Sequence, residues 1–148
     1  MLAKIALTAM ALGIGLAFAV QSGINASLGR AVGSALFAAL ISFSVGTVAL
    51  IGASTLTGQF AVSGLRGVPV WMWLTGGLLG ACVVYGSIFL VPRIGVAALA
   101  AFVIAGQLAA AAVIDHYGVF GVPVHEINPL RIAGISMLFA GALLVRLA

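Results

Sequence analysis

Apolar residues run almost unbroken through this chain, and polar ones recur at intervals of about one bilayer width. A helix needs about 20 apolar residues to cross a ~30 Å hydrocarbon core. Five stretches meet that length, at approximately residues 5–25, 34–53, 70–91, 95–114 and 130–147. Local punctuation supports the boundaries. Asn25 can cap the end of the first stretch, and Arg30 closes the short connection after it. Ser34 has the chemistry of an N-cap for the second. Pro69 suits the first helical position of the third, with Trp71 and Trp73 just inside it, where indoles favour the headgroup interface. Pro92-Arg93 ends the third stretch, and only Ile94 and Gly95 precede the fourth, which predicts a tight hairpin. Asn128-Pro129 supplies a cap and first turn for the fifth. The pattern predicts an all-α integral membrane protein, residues 1–148 forming one five-helix transmembrane domain with termini on opposite sides.

Composition agrees. Hydrophobic residues make up 64% of the chain and charged ones 5%, whereas a soluble domain carries about a quarter charged residues. A soluble protein of this size still exposes roughly a third of its chain surface to water, so the solvent expected here is lipid. Lys4, an apolar run and Ala17-Phe18-Ala19 have the outline of a cleavable leader. No soluble domain follows that would need export, and the segment is read as the first span. Cys82 lies within an apolar run with no thiol-activating neighbours and is expected as a packed small residue.

The charge distribution changes the reading of topology. Lys and Arg in short loops are retained on the cytoplasmic side and so set orientation. With five spans, Lys4, Arg66 and Arg131 fall on one side and Arg30, Arg93 and Arg146 on the other. This balance leaves no orientation preferred. The chain is therefore expected to insert both ways and to pair with an inverted copy of itself. No basic cluster exists, so nucleic acid is not an expected partner.

Small residues are dense inside the spans: Gly76, Gly80 and Ala81 in the third, Gly134 and Gly141 in the fifth. They let helix backbones approach closely in lipid. Packing within one chain is expected to use most of them and a subunit interface the rest.

Few residues have polar chemistry at membrane depth, and none of them is Asp, Glu, Lys or Arg at the middle of a span. This excludes a mid-membrane carboxylate that binds a cation in exchange for protons. The candidates are Gln21 and Asn25 in the first span, Ser42 and Ser44 in the second, Tyr85 and Ser87 in the third, and Gln107 in the fourth. Gln21 and Asn25, four residues apart, share a helix face. An interhelical hydrogen bond worth about 1 kcal/mol and contact with a solute both fit that face. Gln107 lies near the bilayer midplane, the depth of many transporter sites, and is expected to turn inward, towards a pathway or another helix. Asp115 at a helix C-terminus opposes the macrodipole. With His116 it could relay protons, or it could pair with a neighbouring Arg.

The connection from His116 to Asn128 is too apolar for a solvated loop and is expected to dip into the interface or cap the helices. His125-Glu126 is expected to be exposed. Two histidines and one cysteine cannot build a zinc site, and no nucleophile constellation or phosphate loop is present. Neither an enzyme nor a cofactor is indicated.

Several segments, taken in order, resemble the small five-span DUF606 or YdcZ-like family of the drug/metabolite transporter superfamily. They are Gln21-Ser22-Gly23-Ile24-Asn25-Ala26-Ser27-Leu28-Gly29, Ile41-Ser42-Phe43-Ser44-Val45-Gly46-Thr47, Gly76-Gly77-Leu78-Leu79-Gly80-Ala81, Gly106-Gln107, Ile114-Asp115-His116-Tyr117-Gly118-Val119-Phe120-Gly121 and Arg131-Ile132-Ala133-Gly134. The resemblance covers the whole chain. It implies a bacterial inner-membrane protein working as an antiparallel dimer, with an inverted copy of itself or a sister protein of opposite orientation, as half of an inverted-repeat transporter, and it implies no particular substrate. The leading expectation is a secondary transporter of a small metabolite with alternating access. Gln107, Gln21, Asn25, Ser42, Ser44 and Tyr85 would line the pathway, and Asp115 and His116 would serve any proton coupling. A dual-topology ion channel and a non-transporting membrane subunit are the alternatives.

Overall fold

The computed structural model describes residues 2–59 and 67–147, with side chains from residue 5 onward. Arg66 and the side chain of Lys4 lie outside the described residues. Four helices carry the chain: α1 (Leu2–Val32), α2 (Ala35–Leu56), α3 (Val70–Tyr117) and α4 (Pro129–Leu147). Each is long and apolar enough to cross a membrane, and the described residues include no strand. The protein is thus all-helical, as expected. The chain divides into two compact units, Met1–Pro92 and Arg93–Ala148, with the boundary inside α3.

Two expected spans fall within α3. Helical structure continues through Pro92, Arg93 and Ile94, and only Gly95 leaves it, at φ 80 and ψ 163. That region of backbone space is essentially reserved for glycine. Pro92 lacks an N–H to donate to the preceding turn, and a break follows within three residues. At 48 residues, an unbroken helix would be ~72 Å long, more than twice the thickness of a hydrocarbon core.

In the first unit, α1 continues past the expected end at Asn25 to Val32. Arg30 therefore lies on the helix and not in a connection, its Nη2 donating to Ser27 Oγ at 2.8 Å. Gly33, at φ 72, takes the left-handed turn that commonly ends a helix. Ser34 caps α2 as predicted, its Oγ accepting from Phe37 N at 3.1 Å. The core is made of small residues. Ala38 and Ala39 of α2 pack with Ile88 of α3, flanked by Leu28, Ala35 and Val84. Gly29 of α1 approaches closely enough that an added Cβ would stand 2.6 Å from Ile88 Cγ2. No large side chain is fully buried among the described residues.

In the second unit, Asn128 caps α4 as expected, Oδ1 accepting from Arg131 N at 2.9 Å, and Pro129 opens the helix. The connection before it contains a short 3-10 turn, Val119–Gly121, in which Phe120 has φ 62. It folds back on the end of α3: His125 N donates to Asp115 O at 2.9 Å and Ile127 N to His116 Nδ1 at 3.2 Å. His125 and Glu126 are exposed, as predicted.

Two expectations about small residues need correction. Gly76, Gly134 and Gly141 have no neighbour within 4 Å of an added Cβ, so they are not used for packing within their units. Of the expected glycines only Gly80 has such a contact, with the Phe43 ring at 3.5 Å. Cys82 is exposed rather than packed.

Candidate functional site

The polar residues of the first unit gather where α1 faces α2. Asn25 is 7% exposed, and its Nδ2 donates to Ser42 Oγ at 3.1 Å. It is therefore a cross-helix partner rather than a helix cap. Ser22, one turn earlier and also buried, donates to Phe18 O at 2.8 Å. Sequence reasoning passed over Ser22, although it sits between two residues it did select. Gln21 is exposed and makes no hydrogen bond among the described residues. Gln21 and Ser42 line one cavity of about 190 Å³ together with Phe43, Gly46, Thr47, Leu50 and Val84.

Tyr85 lines a larger cavity of about 490 Å³, walled by Leu36, Phe37, Leu40, Phe43 and Ala81. It is 43% exposed, and the phenol makes no hydrogen bond among the described residues. Ser44 lies on an exposed face of α2, away from the Asn25–Ser42 contact. Ser87 is buried and donates to Val83 O at 2.7 Å. Gln107 is exposed in the single chain and makes no hydrogen bond among the described residues. Its neighbour Leu108 lines a separate cavity of about 170 Å³ between α3 and α4.

That third cavity is bordered by an ion pair. Arg131 Nη2 reaches Asp115 Oδ2 at 2.8 Å, and Nη1 donates to His125 O at 3.0 Å. One guanidinium thus ties the end of α3 to the connection that follows it. Asp115 has a partner, and its unfavourable place at a helix C-terminus is offset by the cation. His116 is half-buried. Because its Nδ1 accepts from Ile127 N, the neutral ring must carry its proton on Nε2. Arg131 was legible only as a charge at a helix end. The signal that could have paired it with Asp115 is the scarcity of acids, since Glu126 is the only other one.

A family model described as "Putative inner membrane exporter, YdcZ", of the DMT group, matches residues 6–144. The chain belongs to this family. The match runs from the first turns of α1 to near the end of α4, so all four helices are included. The protein is accordingly a multi-pass inner-membrane member of a transporter family, which is not an enzyme class. Comparison with curated proteins and with solved structures finds no match to either.

In this YdcZ-family chain, Arg131→Ala removes two donations at once and leaves the Asp115 carboxylate without its counter-charge. The two side chains are 35% and 32% exposed, so screening limits the loss to about 1 kcal/mol. Thermal unfolding in detergent should show that loss, with faster proteolysis of residues 118–128. Exchanging the charges, Asp115→Arg with Arg131→Asp, should recover only part of it, because aspartate cannot donate to His125 O. Unchanged stability and proteolysis in Arg131→Ala would mean the pair holds nothing in place.

Proposed function

We propose that the chain exports a small solute as one half of a secondary transporter, pairing with an inverted copy of itself. In this reading it crosses the membrane five times, with residues 70–94 and 96–117 of α3 as separate passages. The observation that carries the proposal is a set of unpartnered polar groups on otherwise apolar helices. The amides of Gln21 and Gln107 are exposed in the single chain. Amides facing hydrocarbon are costly, so these surfaces call for water, solute or a second copy. The open glycines Gly76, Gly134 and Gly141 support the same conclusion, because they permit close backbone approach by another helix.

Gln21, Asn25, Ser42, Ser44, Tyr85 and Gln107 then line the solute pathway, in two inverted sets that make the inward- and outward-open states near equivalents. Proton coupling, if the solute is exchanged for protons, runs through Asp115 and His116. A proton on His116 Nδ1 removes the acceptor of Ile127 N–H, and a proton on Asp115 weakens its hold on Arg131. Either event loosens the connection from the end of α3. Tyr117, whose ring packs edge-on against His116, Arg131, His125 and the exposed Glu126 are the other charged or titratable groups at that segment.

Reconstituting the purified protein in liposomes with a pH gradient tests the proposal. Saturable solute flux from this chain alone is the expected result. Ohmic unitary currents in planar bilayers would indicate a channel, and inactivity of the pure chain would indicate a subunit of something larger. Asp115→Asn and His116→Gln should uncouple flux from the gradient. Unaltered pH-driven flux in both variants would remove the proton role.

A further inference from the structure

Several hydroxyls on the helices of the first unit follow a common pattern, from which Ser27 and Ser44 depart. Ser22, Thr47, Thr75 and Ser87 each donate to the carbonyl four residues back, at 2.7 to 2.8 Å. This return bond is the ordinary way for a helical hydroxyl to satisfy itself. Ser42 does not make it. Its oxygen instead accepts from Asn25 Nδ2 at 3.1 Å. A hydroxyl has a single proton to donate, and among the described residues no group takes it. Asn25 thus fixes the acceptor side of Ser42 and leaves the donor side unused.

Gln21 stands one helical turn before Asn25 on the same face. Its amide carries an acceptor and two donors, and none of them is engaged among the described residues. Gln21 and Ser42 border the same cavity of about 190 Å³, whose other walls are Phe43, Gly46, Thr47, Leu50 and Val84. No lining residue is charged. An ion entering such a space would give up hydration that isolated dipoles cannot replace. An uncharged group that both donates and accepts would exchange its water hydrogen bonds one for one.

We propose that this cavity is a solute-binding subsite selective for an uncharged donor–acceptor group, a carboxamide or hydroxyl, held between Gln21 and Ser42. Phe43, Leu50 and Val84 cover the apolar part of the solute. Asn25 is a positioning residue: it orients the Ser42 hydroxyl and need not touch the solute. The proposal rests on the transporter reading for its role in the cell but not for its binding chemistry.

Three probes of one carbon skeleton separate the possibilities: butyramide, butyrate and butylammonium. Binding is read by calorimetry and thermal stabilisation on the detergent-purified protein. Butyramide should bind, and the two ions should bind at least tenfold more weakly. Ser42→Ala and Gln21→Ala should each weaken butyramide binding about tenfold, the scale of one lost hydrogen bond. Ser42→Thr, which keeps the hydroxyl, should retain most of the affinity and guards against a folding artefact. Thr75→Ala, outside the cavity, should change nothing.

Asn25→Ala should weaken binding, and adding Ser42→Ala to it should cost little more, because both act through one hydroxyl. Additive losses would show Asn25 acting independently of Ser42. Equal or tighter binding of either ion, or no binding of butyramide, would overturn the subsite. Liposome flux then tests the other reading separately. Butyramide binding without flux of any solute would sink the transporter and leave the subsite standing, whereas saturable flux of ions alone would do the reverse.

Discussion

A protein locked in one orientation should be inactive alone and active again beside an oppositely locked twin. Adding two lysines to one terminus should supply the lock, because the basic residues otherwise stand at opposite ends of the same helices. Lys4 and Arg30 bracket α1, and Arg131 and Arg146 bracket α4. Against such a balance, two added charges near a helix end are enough to decide insertion. The readout is accessibility of single engineered cysteines at each terminus, in a Cys82→Ser background because Cys82 is exposed. The natural chain should label from both sides of the membrane, and each locked version from one. Flux should fall to background for either locked version and return when both are produced together. Full flux from one locked version would eliminate the inverted pair.

The second large effect concerns Gly29. A Cβ there would meet Ile88 Cγ2 at 2.6 Å, well inside van der Waals contact. Ile88 is branched at Cβ and helical, so its χ1 has one strongly preferred rotamer and Cγ2 cannot swing aside. Gly29→Ala should destabilise by about 1–3 kcal/mol, and Gly29→Leu should prevent the α1–α2–α3 packing. Second-site changes test the cause. Ile88→Leu removes the offending branch and should restore part of the loss. Ile88→Val keeps Cγ2 and should restore none. Equal rescue by both would point to general loosening rather than this contact, and thermal unfolding in detergent distinguishes the outcomes.

What could be read from the sequence was mostly local. Ser34 and Asn128-Pro129 were legible because a cap depends on the residue itself and the next turn. The C-terminal end of α1 was not. Asn25 looks like a terminator, yet its amide is engaged by Ser42, seventeen positions away, and the helix runs on. Pro92-Arg93-Ile94-Gly95 looks like a connection. The helix does break there, at Gly95, which leaves helical angles at φ 80 and ψ 163.

The candidate residues were legible one at a time, and their pairings were not. The amide face of α1 followed from a spacing of four. That Asn25 would turn to Ser42 while Gln21 stayed unengaged depends on how α2 is set against α1. Likewise Asp115 and Arg131 stood out as rare charges at helix ends, but the guanidinium also grips His125 O, a contact that depends on the fold of the connection between them.

A core in which alanines and Gly29 surround the single larger buried side chain of Ile88 has a mechanical consequence. Interdigitated leucines would resist axial displacement, because each knob would have to climb out of its socket. Alanine methyls present a shallow relief, so the branched side chain of Ile88, seated against Gly29, is the main obstacle to such displacement. The contact of α1 and α2 with the first part of α3 is thus closer to a smooth bearing with one catch than to a gear.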